Sequence, residues 1–162
     1  VKVALGDQLV NAYTDFVEEK LGIQRPLYEN LFQGDVNGFI DTVRRLFASI
    51  PWRNFTNNNL ANFEGYYASV LYAFLSSLNA RIIPEDITNY GQADITAILG
   101  DHIYVIEIKV VDGDNLKENL ALKQIRECNY AQKYRGEPGK TVHEVGLVFS
   151  RSKRNLIQAD WE

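Results

Sequence analysis

Asp94, Glu107 and Lys109 carry a chemistry that their neighbours do not need. They stand in two apolar runs, Ala93–Leu99 and His102–Val111, separated by Gly100-Asp101. Two such runs around a Gly-X loop predict a β-hairpin. Counting outward from that loop, Leu99 pairs with His102 and Asp94 falls opposite Glu107. Directly opposed side chains have Cβ atoms about 4.5–5.5 Å apart, so two like charges there repel unless something positive lies between them. Lys109, two residues past Glu107, shares its face of the strand. The strand around them is apolar on both faces, as interior strands are, and an unpaired carboxylate in that setting is expensive. A divalent cation resolves the conflict. Hard oxygen ligands without histidine or thiolate favour Mg²⁺ or Mn²⁺ over zinc. Such an ion can polarise a phosphoryl oxygen and lower the pKa of a bound water.

The elements that must hold these residues are legible in the periodicity. Gln8 to Glu18 and Asp35 to Ser49 read as helices, the second with Phe39, Ile40, Val43, Leu46 and Phe47 at helical spacing, and Pro51 ends it. Asn57-Asn58-Asn59 supply capping residues for a long amphipathic helix over 57–79, whose apolar face carries one acid, Glu64. Tyr66, Tyr67, Tyr72 and Phe74 on that helix read as core packing. Arg81 to Ile83 predicts a short edge strand stopped by Pro84, with Ile87 to Tyr90 extending it or linking onward. Beyond the hairpin, Leu116 to Arg135 reads as a helix ending near Gly136, with Leu120, Gln124, Cys128 and Ala131 on one stripe. Val142 to Phe149 reads as the last strand, closing a crossover that should be parallel and right-handed. The inventory is α/β with a mixed sheet. The expected organisation is an N-terminal helical extension, residues 1–52, on a core of residues 53–162, together forming one compact domain.

Five stretches then resemble a known family: Phe47-Ala48-Ser49-Ile50-Pro51, Phe63-Glu64-Gly65-Tyr66-Tyr67, Gly91-Gln92-Ala93-Asp94, Ile106-Glu107-Ile108-Lys109, and Gln124-Ile125-Arg126-Glu127-Cys128-Asn129-Tyr130. They resemble the PD-(D/E)XK nuclease superfamily, and more closely its bacterial branch often fused to an AAA-ATPase-like domain. The resemblance runs from about Gly34 onward. It implies a restriction-endonuclease-like fold, a mixed central sheet flanked by helices, and a Mg²⁺- or Mn²⁺-dependent nuclease leaving 5′-phosphate and 3′-hydroxyl ends. By this resemblance Asp94 and Glu107 are metal ligands, with the Ile108 carbonyl oxygen as a third. Lys109 orients or activates the attacking water and stabilises charge at phosphorus. Glu64 looks like the acid of the first core helix, serving a second metal or a metal-bound water. Gln124 resembles the glutamine that the following helix points toward the site. Where Gln92 stands the branch usually has a basic residue, so the phosphate contact made there is not carried over. The implied partners are nucleic acid, DNA in preference to RNA, and an AAA-ATPase-like domain in the same polypeptide. The competing expectation is a catalytically silent domain of this fold that regulates or docks such a module.

Composition narrows the alternatives. The chain has 162 residues, 46% of them hydrophobic, enough for one ordinary core. A single cysteine, Cys128, and two histidines, His102 and His143, exclude an internal disulfide and a zinc cluster within the chain. Both histidines read as solvated. No run approaches the roughly 20 apolar residues of a membrane span, and no secretory signal pattern precedes the first helix, so the domain is expected to be cytoplasmic. Starting at Val1 and lacking methionine, it is expected to be part of a longer polypeptide. Asp112-Gly113-Asp114 fails as a calcium loop because Lys123 occupies the twelfth position. The net charge of −4 opposes nucleic-acid binding through a broadly basic surface. Metal-binding carboxylates contribute to that total, and a bound cation reverses the local field. Arg151, Lys153 and Arg154 form a small basic cluster, ordinary as solvated surface and able to meet a phosphate backbone.

Overall fold

A computed structural model describes residues 17–56, 58–113 and 116–162. Two helices come first, α1 (Val17–Gln33) and α2 (Val36–Ser49), followed by α3 (Glu64–Ser76). The strands are β1 (Arg81–Thr88), β2 (Gly91–Leu99), β3 (His102–Val111), β4 (Thr141–Ser150) and β5 (Asn155–Trp161), with α4 (Leu120–Glu127) between β3 and β4. They form one sheet in the order β1-β2-β3-β4-β5. Only β3 and β4 run parallel; the other neighbours are antiparallel. This is the mixed, helix-flanked α/β sheet expected for a restriction-endonuclease-like fold. No described helix is long and apolar enough to cross a membrane.

Alternation along β3 explains the layers. Tyr104, Ile106, Ile108 and Val110 face one side, where they meet Leu27 and Leu31 of α1, Phe39 and Val43 of α2, and Tyr67 and Leu71 of α3 in a single core. Phe47 of α2 packs 4.7 Å from the Phe149 ring, which lies 4.4 Å from Tyr67. The first two helices therefore share the main core. Val105 faces the other side, with Leu122 and Ile125 of α4 and Tyr130 and Ala131 of the turn after it. Glu107 and Lys109 are on this α4 side by the same parity.

Several boundaries differ from the sequence-based expectation, each for a local reason. The part of the first expected helix at residues 8–16 lies outside the described residues; α1 runs on to Gln33 despite Pro26. Proline leaves the carbonyl of Gly22 without its helical donor, and the Arg45 guanidinium donates to it at 3.1 Å. Helix α3 begins at Glu64, not near Asn57. Asn58 instead donates to Asn54 O at 2.7 Å and accepts from Leu60 N at 3.1 Å, the side-chain competition that holds backbone out of a helix. Strand β1 continues through Pro84, tolerated because β1 is an edge strand. Helix α4 stops early: Asn129 adopts a left-handed φ of 49° before the 3-10 turn Tyr130–Lys133. Strand β5 was not expected, and it changes the surroundings of a histidine. Trp161 of β5 packs edge-on 6.1 Å from His143, which is buried, stacks 4.8 Å from Tyr104 and lies 3.0 Å from His102 Nδ1. That ring is therefore not solvated, and burial, reinforced by the charge of His102, lowers its pKa.

Gly146 sets how closely α4 approaches the sheet. It pairs with Glu107 across the parallel ladder. A Cβ there would overlap the Leu122 backbone nitrogen and stand 2.7 Å from Asn119 Oδ1. Asn119 caps α4, accepting from Leu122 N at 2.9 Å while its amide donates to Gly146 O at 2.9 Å. Because both contacts are with the capped helix start, Gly146→Ala must displace the helix. Urea unfolding is expected to show a loss of about 1–3 kcal/mol, the usual cost of overpacking. A midpoint equal to wild type would show that α4 yields freely.

Candidate active site

The hairpin places the central residues, and a break in its regularity shapes them. Ladder pairs run from Leu99↔His102 to Ile95↔Ile106 and stop there, one residue short of Asp94 and Glu107. Asp94 turns its own carboxylate to the partner strand and accepts from Ile108 N at 2.7 Å. Alternation fails at the same point: Ile95 packs with the α1–α3 core and Ala93 with the α4 core, although both are odd-numbered. Across the other ladder the neighbouring pairs are Pro84↔Ile95 and Asp86↔Ala93, leaving Glu85 beside Asp94 with a left-handed φ of 47°. Asp94 thus sits at a kink in the hairpin.

Lys109 gathers the acids. Its ammonium donates to Glu107 Oε1 at 3.0 Å and, more weakly, to Glu64 Oε2 at 3.4 Å. Glu64 opens α3, where a negative charge suits the helix start, and its Oε1 accepts from Val110 N at 3.4 Å. One carboxylate oxygen is left over. Glu107 Oε2 is buried and has no hydrogen-bond partner among the described residues. Burial, and next the charge on Asp94, push Glu107 up to about 7 against the opposing pull of Lys109. Burial also raises Asp94, with Glu64 and Glu85 adding to it. For Lys109, burial works to lower the pKa, but Glu107, Glu64 and Asp94 outweigh it and leave it raised. The lysine is a standing cation amid acids that resist ionising together.

Asp94, Glu107, Lys109 and Glu64 therefore meet in one place. Gln124 does not touch them directly; its amide donates to the Tyr130 hydroxyl at 3.2 Å. Burial raises the Tyr130 pKa, and the charge of Glu107 adds to that rise. Glu85 carries no signal in the sequence, because Pro84 predicts the end of the strand before it. With Asp94, Gly65, Ser69 and Tyr72 it lines a cleft of 220 Å³ between α3 and the β1–β2 edge. No three acidic, histidine or cysteine side chains among the described residues are grouped tightly enough to hold a metal ion unaided. The donor set still fits a hard cation: two carboxylates close enough for the charge of Asp94 to raise Glu107, one of them with a bare buried oxygen.

Residues 62–159, a span that includes Glu64, Asp94, Glu107, Lys109 and Gln124, match the family model of the PD-(D/E)XK nuclease superfamily. The chain belongs to that superfamily. This PD-(D/E)XK domain is also 34% identical, over 157 residues, to an uncharacterised protein encoded in the vnfD 5′ region of Azotobacter chroococcum mcd 1. The alignment covers 97% of the domain but only 30% of that relative's length. No solved structure matches the domain.

Proposed function

We propose that this PD-(D/E)XK domain is a divalent-metal-dependent nuclease that hydrolyses phosphodiester bonds of nucleic acid, with DNA favoured over RNA. The observation that carries this reading is the buried, unpartnered Oε2 of Glu107 beside Asp94. A polar oxygen is rarely buried without a partner unless a ligand or water completes it. Asp94 and Glu107 would hold Mg²⁺ or Mn²⁺, with the Ile108 carbonyl as a further ligand and Glu64 positioned for a second ion or a coordinated water. A bound ion supplies Lewis-acid polarisation of the phosphoryl oxygen and acidifies water. Lys109, raised in pKa, remains an ammonium; it donates a hydrogen bond and neutralises developing charge rather than removing a proton. Gln124 would assist through Tyr130, whose hydroxyl accepts from its amide and feels the charge of Glu107.

Calorimetric titration with Mn²⁺ tests the centre without knowing the substrate. Saturable binding is expected in the wild type and none in Asp94→Asn or Glu107→Ala. Unchanged affinity in either variant removes that residue from the ligand set, and no binding to the wild type removes the nuclease reading.

A second reading is favoured by the length of the Azotobacter relative beyond the match. In it the domain is catalytically silent and regulates or docks an AAA-ATPase-like module in the same polypeptide. Lys109→Ala would then alter that module's nucleotide turnover, while the wild type cleaves neither DNA nor RNA with Mn²⁺ present. Under either reading the domain's expected place is the cytoplasm.

A further inference from the structure

Beyond the C-terminal end of β3 a second feature faces solvent. The turn at residues 151–154, between β4 and β5, and the 3-10 turn Trp52–Phe55, after α2, border a groove of 260 Å³. Trp52 on its rim is 72% exposed. Arg154 holds a left-handed φ of 55°, rare for a side chain of its size, and its guanidinium lies 5.1 Å from the Phe55 ring centre. In a chain of net charge −4, Lys153 and Arg154 line this groove, and Arg53 and Arg151 stand in the two turns that border it. The acid Asp112 accompanies them, 2.7 Å from Arg151. The turn that borders the groove is tied to the strand that carries Glu107 and Lys109. Arg151 N donates to Val111 O at 3.0 Å, two residues and about 7 Å along β3 from Lys109.

We propose that this groove binds an unpaired nucleic-acid strand, with one base stacked on Trp52 and adjacent phosphates held by Lys153 and Arg154. Phosphates are repelled by most of an acidic surface and attracted by this cluster. An exposed indole offers a stacking face for a base of any sequence. A duplex has its base faces occupied by its own stack, so the unpaired strand is the form that fits. The inference takes its ligand from the nuclease reading, and the groove would guide the strand toward Asp94, Glu107 and Lys109.

The chain has two tryptophans, so Trp161→Phe leaves Trp52 as the sole tryptophan, excited selectively at the red edge where the nine tyrosines do not absorb. Titration of that variant with a single-stranded deoxyoligonucleotide in EDTA is expected to quench its emission saturably. Combining Lys153→Gln with Arg154→Asn, which tolerates the left-handed backbone, should weaken binding about tenfold at low salt. It should also make the logarithmic salt slope shallower by about 1.4, for two phosphates released. Trp52→Ala, followed by anisotropy of a labelled strand, should weaken binding by about fivefold or more. Absence of quenching, unchanged affinity in these variants, or a duplex bound as tightly as the single strand overturns the groove. Every readout is metal-free, which separates it from Mn²⁺-dependent cleavage. Binding without cleavage sinks the nuclease reading and spares the groove; cleavage without quenching does the reverse.

Discussion

Lys109→Met is expected to lower the single-turnover rate of Mn²⁺-dependent DNA cleavage by about a hundredfold or more, while Mn²⁺ affinity stays the same or rises. The two halves of this result follow from one set of contacts. Lys109 donates to Glu107 at 3.0 Å and to Glu64 at 3.4 Å, so its ammonium competes with any cation for those oxygens. Methionine keeps most of the side-chain length and removes the competitor. What is lost is a donor aimed where charge develops during hydrolysis, and a single such donor is worth about 10²–10³ in rate, or roughly 2.7–4 kcal/mol. Affinity falling together with rate would mean that Lys109 shapes the binding centre rather than the reaction. A rate within about tenfold of wild type would remove it from the chemistry altogether, since the lower bound for such donors is about a hundredfold. Circular dichroism of the variant guards against the trivial outcome of a misfolded protein.

The central hairpin was legible because two local signals agree. Gly100-Asp101 fixes the loop, and the apolar runs on either side fix the faces, so the register Ile95↔Ile106 follows from counting. Counting also brought Asp94 to Glu107. It could not show that the ladder stops at Ile95, because the kink depends on Glu85 in the neighbouring strand adopting φ 47°. That contact is set by tertiary packing, not by sequence spacing. Glu64 was visible as a lone acid on an apolar helix, but its place at the first position of α3 depends on Asn58 holding the preceding chain in a loop. The bond from Gln124 to the Tyr130 hydroxyl was not legible, because it depends on α4 ending at Glu127 and on the turn beyond it carrying Tyr130 back to that helix. Gly146 carried no signal at all within its strand. Its role appears only when α4 is laid on the sheet. Strand β5 did carry a signal, since Leu156 and Ala159 pack on the core, but its run is short and follows the basic turn closely.

The resting site should be measurable as a defect in stability. Glu107 ordinarily titrates near 4.5 and is pushed up to about 7 in the folded protein, first by burial and then by Asp94. The folded state therefore holds a proton that the unfolded chain has released between those values. Stability from this group is complete below pH 4.5 and is lost as the pH rises through 7, by about 3 kcal/mol in all. The side chain is only 3% exposed, so solvent screening takes little from that figure. Glu107→Gln keeps the shape and cannot ionise. In EDTA, the unfolding free energy of the variant should exceed that of the wild type by about 3 kcal/mol more at pH 8 than at pH 4.5. Asp94 is raised in the same direction and its charge acts on Glu107, so the difference between the two proteins reports Glu107 together with its coupling to Asp94. Lys109 titrates well above this range and leaves the sign unchanged. Adding Mn²⁺ should restore much of the wild-type stability at pH 8 and none of the variant's, because an ion that binds the folded state alone stabilises it. A variant-to-wild-type difference that stays flat from pH 4.5 to 8 would mean that Lys109 already neutralises Glu107 without cost. The bare Oε2 would then no longer argue for a bound cation.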